Sequence, residues 1–279
     1  MLMIYGILVL LGLSLGSFVN ALVWRLHEQS LPKKKRVASK KELSISTGRS
    51  MCPHCQHTLA WYDLLPVISW LMLGGKCRYC RKTIGWQYPF IELITAGLFV
   101  ASYVWWPYAF DAKGVWLLGV WLTSLVGLVA LIVYDIRWML LPNRIVFPLI
   151  AIAAAGVVGR TFFAGEGVHT LLSALTGLSI AGGLFYVLFQ VSGGRWIGGG
   201  DVKLGFALGL LLGGAGEAFL MLFFASILGL IVSLPAVLLK KTQLSGKIPF
   251  GPFLITSTIV VKFFGGVIIA WYTDTFLYL

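Results

Sequence analysis

Long apolar runs constrain this chain more than any other feature. A run of about 17 to 25 apolar residues can cross the roughly 30 Å hydrocarbon core of a bilayer as a helix. Eight runs have or approach this length: residues 3–24, 90–106, 115–134, 145–163, 168–191, 203–216, 218–239 and 253–273. Only 11% of the residues are charged, against about 25% in a typical soluble domain. The sequence therefore predicts an all-α integral membrane protein with about eight transmembrane helices, the sixth being the shortest.

A polar insert, residues 25–89, interrupts this pattern between the first two runs. Between Arg25 and Lys82 it holds 12 of the 22 Lys and Arg residues. The positive-inside rule therefore places the insert in the cytoplasm and the N-terminus outside. The first run follows no charged residue and precedes no small-residue cleavage site, which predicts an uncleaved helix. We expect three parts in a bacterial cytoplasmic (inner) membrane: a first helix (1–24), the insert, and a membrane domain (90–279).

The net charge of +12 does not by itself indicate a nucleic-acid partner. Its concentration in one insert is typical of a topology signal and of contact with anionic lipid headgroups. We therefore predict membrane lipid, and no nucleic acid, as a partner. The polybasic segment 33–41 is given no further role, and the sequence makes no prediction of oligomeric state.

All the cysteines lie in the insert, as the two pairs CPHC and CRYC. The residues are Cys52, Cys55, Cys77 and Cys80. Two C-x-x-C pairs separated by 21 residues can hold one Zn²⁺ between four thiolates. Two disulfides or a redox-active pair are the alternatives, and a reducing cytoplasm disfavours the disulfides. A closed four-cysteine site leaves no open position for catalysis, so the predicted zinc is structural.

Two aspartates stand at the ends of apolar runs, where ionisable groups are rare and often functional. Asp135 follows the third run and Asp201 precedes the sixth, both on the predicted cytoplasmic side. Two convergent carboxylates can share one proton, so that one activates water while the other protonates an amide carbonyl. The alternative is that each aspartate caps a helix or pairs with a nearby cation such as Lys203. Glu92 is a further carboxylate set inside an apolar run.

Irregular segments flank the two predicted spans that would border this site. The three glycines before Asp201 lack a Cβ and accept positive φ, which predicts a mobile backbone and close approach to the carboxylate. These are Gly198, Gly199 and Gly200. At the last run, Pro249, Gly251 and Pro252 predict either a loop covering the aspartates or the first turn of the last helix.

The order and spacing of seven motifs resemble those of the type IV prepilin peptidases, over essentially the whole chain. The motifs are GSFVNALVWRL (16–26), CPHC (52–55), GGKCRYC (74–80), YPFIELITA (88–96), DIRWMLLPN (135–143), GGGDVKL (198–204) and IPFGPFL (248–254).

The resemblance implies a membrane aspartic peptidase that removes the basic leader of prepilins or pseudopilins at the cytoplasmic face. It also implies N-methylation of the new N-terminal residue with S-adenosylmethionine. By this resemblance Asp135 and Asp201 are catalytic, and the four cysteines bind zinc. Gly75 and Lys76 match the methyl-transfer positions, to which we add Glu92 as a candidate. Asn143 stands where many relatives have aspartate and is not expected to carry acid chemistry.

Two other classes of protein fit parts of the pattern. A multi-helix transporter or proton channel could use the paired aspartates as a relay, and a scaffold could use the zinc knuckle to recruit partners. Transporter sites usually lie near the bilayer midplane, whereas both aspartates are predicted at the cytoplasmic interface. A scaffold leaves the aspartates without a shared purpose, so the peptidase is favoured.

Overall fold

The computed structural model describes residues 2–164, 167–238 and 248–276, and its regular elements are helices. They are α1 (Leu2–Ser30), α2 (Ile68–Met72), α3 (Gln87–Val104), α4 (Ala112–Trp138), α5 (Asn143–Ala164), α6 (Gly167–Leu178), α7 (Leu184–Ser192), α8 (Gly199–Leu212), α9 (Ala215–Leu238) and α10 (Gly251–Phe276). A π-helical turn, Ser179–Gly183, joins α6 to α7, and short 3-10 turns lie at Lys33–Lys35 and Trp61–Leu64. Within the described ranges there is no β-strand, so the predicted all-α class is confirmed.

Six of the helical segments described are long and apolar enough to cross a membrane. They are α1, α4, α5, the continuous segment from α6 to α7, α9 and α10. The prediction of a multi-pass membrane protein is thereby confirmed. The other two predicted spans, 90–106 and 203–216, coincide with α3 and α8. Neither helix is both long enough and apolar enough to count as a membrane span, so the count of eight stays a prediction. Residue 239, at the end of the seventh predicted run, lies outside the described residues.

The chain divides into two compact units, Met1–Ala101 and Ser102–Leu279. The first unit contains α1, the polar insert and most of α3, and the second contains α4 to α10. The boundary between the units therefore falls inside α3. The division into a first helix, an insert and a membrane domain stays a prediction.

Helix α8 occupies the interior of the second unit, which accounts for its composition. With 14 residues it is only about 21 Å long, and it packs against α5, α6, the π-helical turn and α10. Leu204, Ala207 and Leu208 have no exposed surface. A helix that is apolar on all sides is buried by its neighbours, so the middle of α8 is enclosed by other helices, while its first turn stays half-exposed.

In the first unit, α1 and α3 approach each other so closely that glycine is required on α1. A Cβ built on Gly12 would lie 2.5 Å from the Cα of Ala96, and one on Gly16 would lie 2.7 Å from the Cα of Glu92. Both obstructing atoms belong to backbone, which cannot move aside as a side chain would. Small residues four apart that bring helix backbones together are typical of membrane helix pairs.

Gly16→Ala is therefore expected to destabilise the protein by about 1–3 kcal/mol, the usual cost of overpacking. The measurement is thermal unfolding in one detergent, compared with Gly6→Ala on the same helix, where an added Cβ meets nothing within 4 Å. Equal melting temperatures for the two variants would contradict the close packing of α1 and α3.

Candidate functional site

Asp135 lies in the last turn of α4, with only 5% of its surface exposed. Helix α4 ends at Met139, which has a left-handed φ of 53° and donates its N–H to the Asp135 carbonyl over 2.8 Å. The Oδ2 atom of Asp135 accepts a hydrogen bond from the N–H of Gly251 over 3.1 Å. Gly251 begins α10, and the first N–H groups of a helix have no partner within it. Asp135 therefore ends one helix and caps another.

Asp201 lies in the first turn of α8 and is half-buried. Its N–H donates to the carbonyl of Gly198 over 3.0 Å, and its carboxylate accepts a hydrogen bond from the N–H of Gly198. This is the carboxylate half of a capping box. The charge of Asp135 acts on Asp201, so the carboxylates from α4 and α8 share one site. Each aspartate also caps a helix, as one of the alternatives drawn from the sequence expects, and their joint chemical role stays a prediction.

The glycines before Asp201 do not use their freedom to adopt positive φ. Helix α8 begins at the second of them, so their backbone is not left-handed; the positive φ values occur at Gly193 and Gly194, after α7. Gly200 allows a close approach of Leu141, because a Cβ built on Gly200 would lie 3.0 Å from the Cβ of Leu141; close approach to the carboxylate stays a prediction. Leu141 is also 3.5 Å from a Cβ built on Gly251. One leucine thus packs on both glycine-bearing motifs.

Lys203 bonds to a neutral side chain. Its Nζ donates to Asn143 Oδ1 over 2.9 Å, at the first residue of α5. No ion pair between Lys203 and an aspartate occurs among the residues described. The segment around Pro249 and Pro252 leads into the first turn of the last helix, the second of its two expected roles, and a loop covering the aspartates stays a prediction. Pro252 occupies the first turn of α10, while the adjoining Gly251 contacts Asp135 directly.

Gly251→Ala is expected to lower the activity of the aspartate site by about 10- to 100-fold, because displacing a catalytic group slightly has a large effect. The added Cβ would lie 2.6 Å from Asp135 Oδ2 and would displace the carboxylate from the Gly251 N–H. Gly266→Ala on the same helix meets nothing within 4 Å and serves as the control. Equal cleavage rates for the two variants in one peptide assay would show that this contact is dispensable.

The structure brings all four cysteines together through two equivalent turns. The Cys52 N–H donates to the His57 carbonyl over 3.0 Å, and the Cys77 N–H donates to the Lys82 carbonyl over 2.9 Å. Each turn contains one left-handed residue, Gln56 or Arg81, both with φ of 58°. All four sulfurs lie within 4.8 Å of one another.

This sulfur cluster fits one divalent metal ion. The Sγ atoms of Cys52 and Cys80 are 3.9 Å apart, close to the roughly 3.8 Å between thiolates around a tetrahedral zinc with Zn–S bonds near 2.3 Å. Burial raises the pKa of the Cys52 thiol to about 12. Burial also acts to raise the pKa of Cys77, but hydrogen bonds from the N–H groups of Cys80 and Tyr79 lower it to about 7. The pocket therefore already favours one thiolate, the form that binds metal.

Asp63 secures the segment between the cysteine pairs and was not singled out in the sequence. Its carboxylate accepts hydrogen bonds from Arg78 Nε over 2.7 Å and from the Tyr79 hydroxyl over 3.1 Å. Arg78 and Tyr79 are the two residues between Cys77 and Cys80. Asp63 thus holds the second turn through residues outside the sulfur cluster. In the sequence, only its isolated position in an apolar stretch indicated that it has a role.

The three methyl-transfer candidates lie in different environments of the first unit. Glu92 on α3 is buried, and its Oε2 accepts the N–H of Val67 over 2.7 Å. Gly75 is buried and has a left-handed φ of 67°. A Cβ built on Gly75 would lie 2.9 Å from the nearest atom of the Trp70 ring. Lys76 is exposed. Glu92 and Trp70 line one cavity, and Gly75 and Lys76 do not belong to its described lining.

Interacting aspartates at two helix ends, together with a four-cysteine metal site, place this chain in the class of multi-pass membrane proteins with paired acidic groups. Comparison with known families agrees. Residues 10–106 match the bacterial peptidase A24 N-terminal domain, and residues 120–234 match the type IV leader peptidase family. The chain therefore belongs to the type IV leader peptidase family, which confirms the resemblance drawn from the sequence.

Curated relatives match the chain along almost its whole length. A prepilin leader peptidase/N-methyltransferase of Aeromonas hydrophila is 30% identical, covering 98% of this chain and 95% of the relative. A protein of the same name from Bacillus subtilis is 33% identical, covering 96% and 97%. A type 4 prepilin-like proteins leader peptide-processing enzyme of Escherichia coli is 34% identical, covering 87% of both chains. No solved structure gives a significant match.

Proposed function

We propose that this protein removes the basic leader of type IV prepilins or pseudopilins at the cytoplasmic face of the inner membrane and N-methylates the new N-terminal residue. The observation that carries the peptidase function is that the ends of α4 and α8 meet: Leu141, just after α4, lies against Gly200, the residue before Asp201. The names of relatives that match the chain over nearly its full length support both activities.

The two aspartates suffice for hydrolysis of an amide without a covalent intermediate. One carboxylate is ionised and takes a proton from water as the water oxygen attacks the scissile carbonyl carbon. The other is protonated and gives its proton to the carbonyl oxygen, which produces a tetrahedral diol. Collapse of the diol breaks the C–N bond, and the proton taken from water passes to the leaving amine. One diol hydroxyl returns its proton to the other carboxylate, so the pair is restored with one proton.

Contacts on one oxygen of each carboxylate orient the pair for this cycle. The Gly251 N–H holds Asp135, and the Gly198 N–H holds Asp201. Both donors belong to helix starts, so the carboxylates are fixed by rigid elements rather than by loops. Such preorganisation is a large part of what an active site contributes to rate.

Methyl transfer is assigned to the first unit. S-adenosylmethionine would supply the methyl group there, with Gly75, Lys76 and Glu92 as candidate residues, and one Zn²⁺ on the four cysteines would hold the insert together. The concentration of basic residues between Arg25 and Lys82 supports a cytoplasmic position for this unit and an outside N-terminus. The same charge suits contact with anionic lipid.

The test is to incubate the purified protein with a synthetic peptide that carries a basic leader, glycine and phenylalanine, with and without S-adenosylmethionine. Mass spectrometry is expected to find cleavage after the glycine in both samples. Only the sample with the donor should show one added methyl group on the phenylalanine product. An uncleaved peptide, with folded and zinc-loaded protein, would favour the proton relay of a transporter instead.

A further inference from the structure

The first unit contains a cavity of about 250 Å³ lined by residues of the insert and by two motifs that the peptidase function leaves unused. The α1 motif GSFVNALVWRL contributes Asn20 and Trp24, and the α3 motif YPFIELITA contributes Tyr88 and Glu92. Trp70, within α2, forms another wall. The cavity thus combines aromatic side chains with the amide of Asn20 and the carboxylates of Glu92 and Asp63, and the cations Arg25 and Arg78 also belong to its lining.

Asn20 places an unused hydrogen-bond acceptor in this cavity. Only 6% of the residue is exposed, and its Nδ2 donates to the Tyr88 carbonyl over 3.0 Å. That bond fixes the orientation of the amide, because a carbonyl can only accept. The Oδ1 atom is buried and has no partner among the residues described. Buried polar atoms are almost always paired, so the Oδ1 atom of this cavity-lining residue is available to accept a hydrogen bond from a bound molecule.

Glu92 supplies negative charge and holds a strained backbone. Its Oε2 accepts the N–H of Val67 over 2.7 Å, and Val67 has φ of 60°, an unfavourable value for a β-branched residue. Strained backbone of this kind concentrates at ligand and active sites. The carboxylate and the aromatic rings are two surfaces that attract a cation.

The position of Trp70 explains why residue 75, a methyl-transfer candidate from the family resemblance, is a glycine. The Trp70 indole donates from Nε1 to the Ile84 carbonyl over 3.0 Å and lies where a Cβ of Gly75 would be. A side chain at position 75 would push the ring toward the cavity. Gly75 is therefore a positioning residue that acts through Trp70.

We propose that this cavity binds the methyl donor, S-adenosylmethionine. The Asn20 Oδ1 atom accepts a hydrogen bond from an amino group of the donor, Glu92 balances the sulfonium charge, and the aromatic walls receive the adenine. The proposal rests on the methyl transfer proposed above, for which it names the binding residues. It makes Asn20 a binding residue of the donor.

The first test measures binding of S-adenosylhomocysteine to the full-length protein by calorimetry. Loss of one polar contact in Asn20→Ala should weaken binding about tenfold or more, whereas Asn20→Asp, which keeps an acceptor, should bind more tightly than Asn20→Ala. Asn143→Ala, the other asparagine of the chain, should bind as the wild type does. Zinc content and thermal unfolding of Asn20→Ala should match those of the wild type, which reports that the first unit is folded.

Ultraviolet cross-linking of labelled S-adenosylmethionine to the wild-type chain provides a test that needs no variant. Label is expected in the α1 segment 17–25 or the α3 segment 88–92. Label only in residues 102–279, or unchanged binding by Asn20→Ala, would overturn the cavity while leaving methyl transfer intact. A wild-type protein that cleaves the peptide but neither binds nor uses the donor would overturn the methyl transfer itself.

Discussion

Asp201→Asn is expected to lower the rate of leader cleavage by about 10³-fold or more, since an amide can neither take a proton from water nor share one with Asp135. Asn143 and Lys203 would keep their mutual hydrogen bond, and the first turn of α8 would retain an acceptor for the Gly198 N–H. The loss should therefore appear in kcat with the protein still folded. Steady-state cleavage of the leader peptide, together with thermal unfolding, measures both quantities.

Substitutions at Asp135 separate its chemical role from its structural one. Asp135→Asn keeps an oxygen that can accept the Gly251 N–H, so its stability should stay near that of the wild type while cleavage falls as in Asp201→Asn. Asp135→Ala removes the acceptor as well and should unfold more easily by about 1 kcal/mol, the usual cost of losing a helix cap. If the two variants were equally inactive and equally unstable, the contact with Gly251 would carry no stability.

Asp274→Asn is the matched control, because Asp274 is an exposed aspartate near the other end of α10. Asp274→Asn removes the same charge at a position away from Asp135 and Asp201, so it should cleave the peptide as the wild type does. Cleavage by either active-site variant at the rate of Asp274→Asn would exclude the aspartic mechanism. A transporter using the same aspartates would leave the peptide uncleaved in the wild type and in all three variants, because its relay performs no hydrolysis.

Hydropathy and cysteine spacing were sufficient to predict the parts of this fold that depend on local sequence. A run of apolar residues specifies a membrane helix wherever it occurs, and the two C-x-x-C pairs form equivalent turns whose sulfurs meet. The short α8 shows the limit of this reasoning. Hydropathy alone does not indicate whether an apolar helix faces lipid or, as here, packs among α5, α6 and α10.

Contacts between segments far apart in the chain could not be predicted from the sequence. The bond from Gly251 to Asp135 joins residues 116 positions apart, and the motif around Gly251 suggested an irregular segment without identifying its partner. Lys262 is a second example: its Nζ lies 5.6, 5.2 and 5.9 Å from the rings of Trp106, Tyr108 and Trp121. A lysine inside an apolar run signals some compensating contact, but three rings from two segments are visible only in the structure.

Cys52→Ala is expected to reduce bound zinc from one ion per chain to nearly none, because three thiolates bind the metal far less well than four. Structural zinc contributes roughly 10–16 kcal/mol to the folding of small metal-dependent domains, so the insert should lose its ordered turns. Cys52 and Cys77 also line the cavity proposed for the methyl donor. The variant should therefore lose donor binding and methylation, and elemental analysis with calorimetry measures both losses.

Leader cleavage distinguishes loss of the knuckle from loss of the whole protein. The aspartates and their caps all belong to the second unit, so Cys52→Ala should cleave the peptide within about threefold of the wild-type rate, the range of ordinary context effects. His57→Ala, in the same turn, tests whether a histidine replaces a thiolate and should retain the zinc. If Cys52→Ala kept its zinc, the four-cysteine assignment would be wrong. If it lost zinc and cleavage together, the metal would support the peptidase as well as the methyl-transfer site, and the two activities would not be separable by unit.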